Sequence, residues 1–490
     1  MTEGLSPRPV AATEGRARRS VAATDADVVI VGARCAGSAA AIALAKAGRK
    51  VIAVDSARFP SPTISTHLMW PGGLAELARL GALDRVAALG APRLPLASVD
   101  IPGVRAAGGY SAVDGISYAM CVRRAGLDLA LVETARSAGA EVREGTRVTG
   151  LLSAEGRVAG VEVNERGGRS YALRAPVVVG ADGRRSTVAR LVGAADPYLS
   201  RRDGRACYYA YFDDPHEALR AVASQWRQGA ELGTAFPCDG GLTLVLLMPP
   251  DARAANFRKY PEKEYDRTID ELLPGLGERL RGCARRSRVF GAAGLESYFR
   301  VSAGPGWALV GDAGHFKDPV TAQGIRDALR FGRLLGESLA GLPDGSGPVN
   351  TGVSGGMGGT DAVLAEWERR RDRECLEAFY WTDRTGRADP VGPLDVEMHR
   401  ALRADPALMT RFLDVYSRII RPAEALTTPR LAGWTARALL RPGTDRPALL
   451  RFVARTVREL RQENKQVNRR RLGLSSTDTK LIADETAQNL

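Results

Sequence analysis

Three stretches of this chain end an apolar run on a glycine with an acid close by. The first is Val29-Ile30-Val31-Gly32-Ala33-Arg34-Cys35-Ala36-Gly37. It keeps the outer two glycines of a Gly-x-Gly-x-x-Gly turn. Gly32 permits the tight turn, and Gly37 lets helix and strand approach. The free N–H groups of the helix start then face a pyrophosphate. Arg34 replaces the middle glycine and is itself suited to a phosphate. Asp55 closes the next strand, with Ser56 after it. An acid there accepts hydrogen bonds from a ribose that carries no phosphate. The second stretch is Val179-Gly180-Ala181-Asp182-Gly183, which brings backbone and a short acid to a strand end. The third is Trp307 to Gly311, then Asp312, and on through Pro319 to Gln323, Gly324 and Ile325. Asp312 is placed to hold a polyol hydroxyl. Pro319 bends the chain before a new helix, whose start stabilises negative charge.

The elements that position these residues follow from periodicity. A strand over Asp27–Val31, a helix from about Gly37 to Ala47 and a strand over Lys50–Asp55 make the opening βαβ of a doubly wound sheet. Leu74–Leu89 has helical spacing, and Leu127–Ala138 is an amphipathic helix. Glu141–Val142, Val148–Leu152 and Val158–Val163 alternate as a small antiparallel meander. Ala175–Gly180 is apolar throughout, as strands buried on both faces are. From Arg205 to Pro249 the chain is β-rich. Cys207, Tyr209 and Tyr211 share one face of a strand there, and Tyr208 and Phe212 the other.

The predicted fold is α/β: a Rossmann-like domain with an inserted antiparallel β-sheet domain and a helical C-terminal region. The expected division is a disordered arm over 1–24, a first nucleotide-binding segment over 25–200 and a substrate-binding sheet over 201–295. The second nucleotide-binding segment then covers 296–340, a linker or mobile loop 341–360, and helices 361–490.

The three motifs, in this order, resemble the class A FAD-dependent monooxygenases, the family similar to p-hydroxybenzoate hydroxylase. The loop Phe59 to His67 is closer to a bacterial subgroup that also resembles geranylgeranyl reductases. The resemblance covers about residues 27–340. It implies non-covalent FAD, with NADPH or NADH as co-substrate and O2 as oxidant. Gly32, Arg34, Ala36, Gly37, Asp55, Ser56 and Arg58 would hold the ADP half. Arg124 would open a helix and contact FAD, and the strand at Val148 would meet the adenine. Asp182 would sit near the pyrophosphate and the passing nicotinamide cofactor. Gly311 and Asp312 would bind the ribityl chain, and Pro319, Gln323, Gly324 and Ile325 would border the ring system.

The reaction so implied is hydroxylation of a small organic molecule through a flavin C4a-hydroperoxide, in secondary metabolism. N-oxygenation of a small acidic amine or amino acid is an alternative by the same chemistry, and reduction of a double bond is another. The cofactor carries such chemistry, so no dedicated catalytic side chain is required. His67 and Lys317 are the two candidates for a catalytic role, against structural and surface roles respectively.

Composition narrows the class. In 490 residues, hydrophobic content is 44% and charged content 26%, the profile of a globular protein. The six cysteines and four histidines are scattered without metal-ligand spacing, so no metal site and reduced thiols are expected. No apolar run reaches the ~18 residues of a membrane span. From Arg430 to Arg471 twelve basic residues face three acidic ones, the pattern of a solvated helix face. A small-molecule substrate, no nucleic acid, no membrane and a cytoplasmic location are expected.

Overall fold

The computed structural model describes residues 24–342 and 359–471. The expected arm and linker therefore lie almost wholly outside the described residues.

A six-stranded sheet forms the base. Its order is Ala303–Gly304, Trp307–Leu309, Val177–Gly180, Val28–Val31, Val51–Asp55 and Glu141–Glu144. All neighbours run parallel except the first pair. Val28–Val31 and Val177–Gly180 are buried at every position, as a sheet covered on both faces requires. The chain leaves Val28–Val31 toward one side and enters Val177–Gly180 from the other. Their C-terminal ends therefore open a crevice, the usual ligand position of such sheets.

Helix Cys35–Lys46 crosses this sheet against helix Gly324–Ala340. Small residues make that contact close. A Cβ on Gly332 would lie 2.4 Å from the Ala36 carbonyl oxygen. This packing fixes the Asp312–Gly324 segment relative to the Gly32 turn, although nearly 300 residues separate them.

Glu141–Glu144 departs from the expected meander. It follows helix Arg124–Ser137 and joins the parallel sheet beside Val51–Asp55, as a crossover helix delivers the next parallel strand. The meander consists instead of Thr146–Ala154, Arg157–Glu165 and Ser170–Arg174. Leu74–Leu89 is two helices, Pro71–Leu80 and Leu83–Ala87. Gly81, at φ 74°, ends the first in the left-handed conformation that stops a helix.

The second sheet has eight strands. Cys207–Asp213, Leu242–Leu247, Glu231–Pro237 and Val222–Gln228 form its antiparallel centre. It also recruits Leu96–Ile101 and Val104–Gly109 from the first segment of the chain, with Leu96–Ile101 parallel to Val222–Gln228. The sheet is thus not drawn from one continuous stretch. The sequence Val-Arg-Ala-Ala-Gly-Gly of its edge strand carries little β-propensity to announce it. Cys207 and Tyr209 pack on one face, and Tyr208 and Phe212 on the other.

Helices cover the remaining side. Gly359–Gly386 lies along Gly324–Ala340, with the Trp367 indole N–H donating to the Phe331 carbonyl at 3.0 Å. Arg446–Arg471 docks on it through Arg387 with Glu459, Arg384 with Glu463 and Tyr380 with Gln466. Val457 of this helix is 41% exposed. The docking face is set by those polar contacts and by buried Leu449 and Val467. Among the described residues no helix is long and apolar enough to cross a membrane.

Candidate functional site

The crevice at the sheet's switch point opens into a cleft of about 550 Å³, within the range of small-molecule and cofactor sites. Its lining joins all three motifs. Gly32, Arg34, Ala36, Asp55, Ser56, Arg124, Val148, Asp182, Asp312, Pro319, Gly324 and Ile325 all face it. Four of the expected cofactor-binding residues do not line it. A Cβ on Gly37 would fall 1.8 Å from the Gly32 carbonyl oxygen, so Gly37 serves the packing of turn on helix. Gly311 closes against Ala36 from the third motif. Arg58 packs beside Gly145. The Gln323 side chain turns away and donates to the Tyr416 carbonyl at 2.9 Å, while the backbone of its neighbours meets the cleft.

The first turn is locked from two sides. Gly32, at φ 100°, leaves room for the backbone of Ala181 and Asp182, which a Cβ would strike at 2.5 and 3.0 Å. The Asp55 carboxylate accepts from the Ala33 N–H and the Ala57 N–H, both at 2.8 Å. It therefore shapes the rim of the cleft and keeps lone pairs for hydroxyl donors. Asp182 accepts from the N–H groups of Thr187 and Val188 and from the Ser186 hydroxyl. Burial raises its carboxyl above the ordinary range, partly offset by those bonds.

Arg34 was expected to meet a phosphate. Its guanidinium is held by Asp128 and by the Ser61 hydroxyl at 2.6 Å, and it stands over the Phe59 ring. Asp128, wholly buried, also binds Arg124 at 2.8 Å, and together they join the first turn to helix Arg124–Ser137. Asp128 is the functional residue the sequence reading missed. Its place four residues after Arg124 on one helix face was the available signal.

Asp312 opens onto the floor of the cleft, and its carboxylate accepts no hydrogen bond from the described residues. Burial raises its carboxyl, with Arg184, Arg124 and Lys317 pulling the other way. An unpaired acceptor facing a cleft of this length fits the hydroxyls of a polyol chain. After Pro319, Ala322 turns at φ 52°, and the helix Gly324–Ala340 begins with its free N–H groups toward the cleft. These features fit FAD.

Lys317 lines the cleft and is buried, not a surface lysine, and its ammonium meets the Asp327 carboxylate. Arg326 holds the other oxygen of Asp327 at 2.7 Å. The cations around it hold the Asp327 carboxyl well below its usual range despite burial. His315, Asp327 and Cys375 bring possible metal-ligand atoms within 4.8 Å of one another, but Lys317 already supplies the charge that Asp327 needs. Burial pushes His315 down to about 3, with Lys317 adding to the shift.

His67 stands one layer behind the lining residues Ser65 and Thr66. Its Nδ1 lies 2.7 Å from the Ser65 carbonyl, which can only accept, so Nδ1 carries the proton. Nε2 then accepts from the Tyr211 hydroxyl at 2.9 Å. Burial lowers His67 to about 4, which keeps the ring neutral near pH 7. The cleft ends against the second sheet at Cys207, Ala292 and Leu295, with Phe316 opposite. Tyr209 and Phe290 stack behind this wall at 5.3 Å.

Comparison with known proteins agrees with this geometry. A family model described as an FAD binding domain matches residues 25–202. The menaquinone reductase of Mycolicibacterium smegmatis is 30% identical over 347 residues, 64% of this chain and 76% of that protein. The digeranylgeranylglycerophospholipid reductase of Methanosarcina mazei is 29% identical over 231 residues. That match spans 46% of this chain and only 54% of the relative's length. The rifampicin monooxygenase of Streptomyces venezuelae is 27% identical over 336 residues, 66% of this chain and 65% of that one. Among solved structures, the flavin-dependent brominase Bmp2 superposes with a TM-score of 0.66 at 18% identity, over 84% of this chain and 98% of that one. The chain belongs to the family of FAD-dependent oxidoreductases that joins class A flavin monooxygenases with geranylgeranyl-reductase-like enzymes.

Proposed function

We propose that this protein is an NAD(P)H-using monooxygenase that places one oxygen atom of O2 on a small organic molecule. The carrying observation is the end of the cleft beside Pro319 and Ile325. Its far wall is Cys207, Ala292 and Leu295, short apolar side chains backed by stacked aromatics. These short side chains leave that end open for a compact substrate beside the place the ring system would take. Bound FAD, once reduced by the nicotinamide cofactor, supplies the activation of dioxygen and the oxygen transfer.

The chain's own part is to bind, orient and exclude water. Asp312 would accept from the ribityl hydroxyls, and the N–H groups that start helix Gly324–Ala340 would stabilise negative charge on the reduced ring. Lys317 and Asp327 hold the flavin-facing segment in place. His67, neutral and fixed by Ser65 and Tyr211, orients the loop at the cleft's edge. Carbon hydroxylation and oxygenation of an amine nitrogen use the same compartment.

A second reading is reduction of a carbon–carbon double bond, favoured by the reductase names of relatives at 29 and 30% identity. Incubation of the FAD-loaded protein with NADPH or NADH, ¹⁸O₂ and a panel of phenols, polyketides and amino acids separates the two. A product carrying one labelled oxygen is expected. A product gaining two hydrogens under anaerobic conditions, with no labelled one in air, would transfer the assignment to the reductase.

A further inference from the structure

Five cationic side chains line the cleft: Arg34, Arg124, Arg147, Arg184 and Lys317. Three are committed. Arg34 and Arg124 share Asp128, and Lys317 meets Asp327. Arg147 lies on the strand at the opposite end, beside Val148. Arg184 differs from all of these. Its guanidinium has no carboxylate partner and donates no hydrogen bond among the described residues. It stands 5.1 Å over the Phe316 ring, at the end of the cleft walled by Cys207, Ala292 and Leu295. Its charge is felt by both Asp312 on the floor and Cys207 in the wall.

We propose that Arg184 anchors an anionic group, a carboxylate or a similar organic anion, on the substrate of this site. The inference rests on the flavin reading above and names the substrate's chemistry within it. Arg184 is exposed at the rim of this end, so an anion entering the cleft meets its solvated guanidinium before it reaches the apolar wall. The wall residues offer no charge, and Lys317 is already neutralised, so Arg184 is the partner on hand. A guanidinium stacked on an aromatic face keeps its edge free, and that edge matches a carboxylate with two parallel hydrogen bonds.

The surroundings favour the same sign. A second cleft of about 460 Å³ lies behind the strand Phe290–Ala292, and Ala292 lines both clefts. Arg202 and Arg258 border it against a single acid, Asp251. Arg202 pairs with Asp251 at 3.0 Å, which leaves Arg258 as one uncompensated positive charge on that side.

The test uses the FAD-loaded protein with benzoate and its neutral analogue benzamide as probes, read by the change in the bound flavin's visible spectrum. Arg184→Met keeps the aliphatic stem and removes the charge, and Arg184→Lys restores a charge without the fork. Benzoate is expected to perturb the wild-type flavin and to bind about tenfold more weakly to R184M, with partial recovery in R184K. Benzamide binding is expected to be equal in wild type and R184M. Benzoate without effect on the wild-type flavin, or bound equally by R184M, overturns the proposal. Folded R184M that has lost FAD also overturns it, because the arginine would then serve the cofactor's phosphates. A wild-type protein that takes up no flavin would instead remove the reading beneath it.

Discussion

At the end of the cleft bounded by Gly32 and Asp182, the wall is backbone and small side chains, and two of its arginines, Arg34 and Arg124, share the carboxylate of Asp128. At the end bounded by Phe316 and Cys207, the wall is side chains from distant segments, and Arg184 is left unpaired. The first end presents oriented N–H groups to a ligand every member of such a family binds. The second presents shape and one free charge, which vary with the substrate. On the proposed reading, the first end would hold the cofactor and the second would choose the substrate.

The largest expected effect falls on the first end. Asp128→Ala leaves two partly buried guanidinium groups without their wholly buried carboxylate and is expected to destabilise the protein by about 3 kcal/mol. Urea unfolding measures this, and a loss below about 1 kcal/mol would mean water compensates those charges. Gly37→Val drives a branched side chain into the Gly32 carbonyl. Overpacking of about 3 kcal/mol corresponds to roughly 100-fold weaker FAD binding. Unchanged affinity in a flavin titration would show that the turn does not carry the cofactor.

The second end is sharpened by pH. His67 sits near 4 when folded and near 6.5 when unfolded, because burial disfavours its charged form. Its contribution to stability is complete above pH 6.5 and is lost as pH falls toward 4. Between pH 7 and pH 5 that single ring accounts for about 2 kcal/mol. Unfolding curves at the two pH values are expected to differ by that much less in His67→Gln. An equal drop in both proteins would place the titration elsewhere. The smallest effect belongs to Ala322, held at φ 52° in the flavin-facing turn. Ala322→Gly relieves the left-handed strain and is expected to raise stability by up to about 1 kcal/mol. A lowered melting temperature would show that the methyl group's packing outweighs the strain.

The same comparison explains what could be read from sequence. The first end is specified by local spacing: Gly32 to Gly37, the acid closing a strand and the acid after Gly311 all lie within a few residues of the element they serve. The parallel sheet was legible for that reason. The second end depends on residues that meet only through tertiary packing. Nothing near Cys207 or Ala292 announces that they face Phe316, and Leu96–Ile101 joins the sheet only because Val222–Gln228 lies beside it. Arg34 lines the cleft, but its partner, Asp128, lies 94 residues away, so local spacing could not announce that pair. Lys317 could not be told from a surface lysine, since its burial is set by Asp327 one helix turn into the next element.

The most direct test of the cofactor site is the flavin released by acid from purified wild type and from Asp312→Ala, separated and weighed by mass spectrometry. One intact FAD per wild-type chain is expected, with a clear deficit in the folded variant, whose cleft has lost its floor acceptor. A colourless wild type, a different dinucleotide, or full retention of FAD without Asp312 would contradict the account.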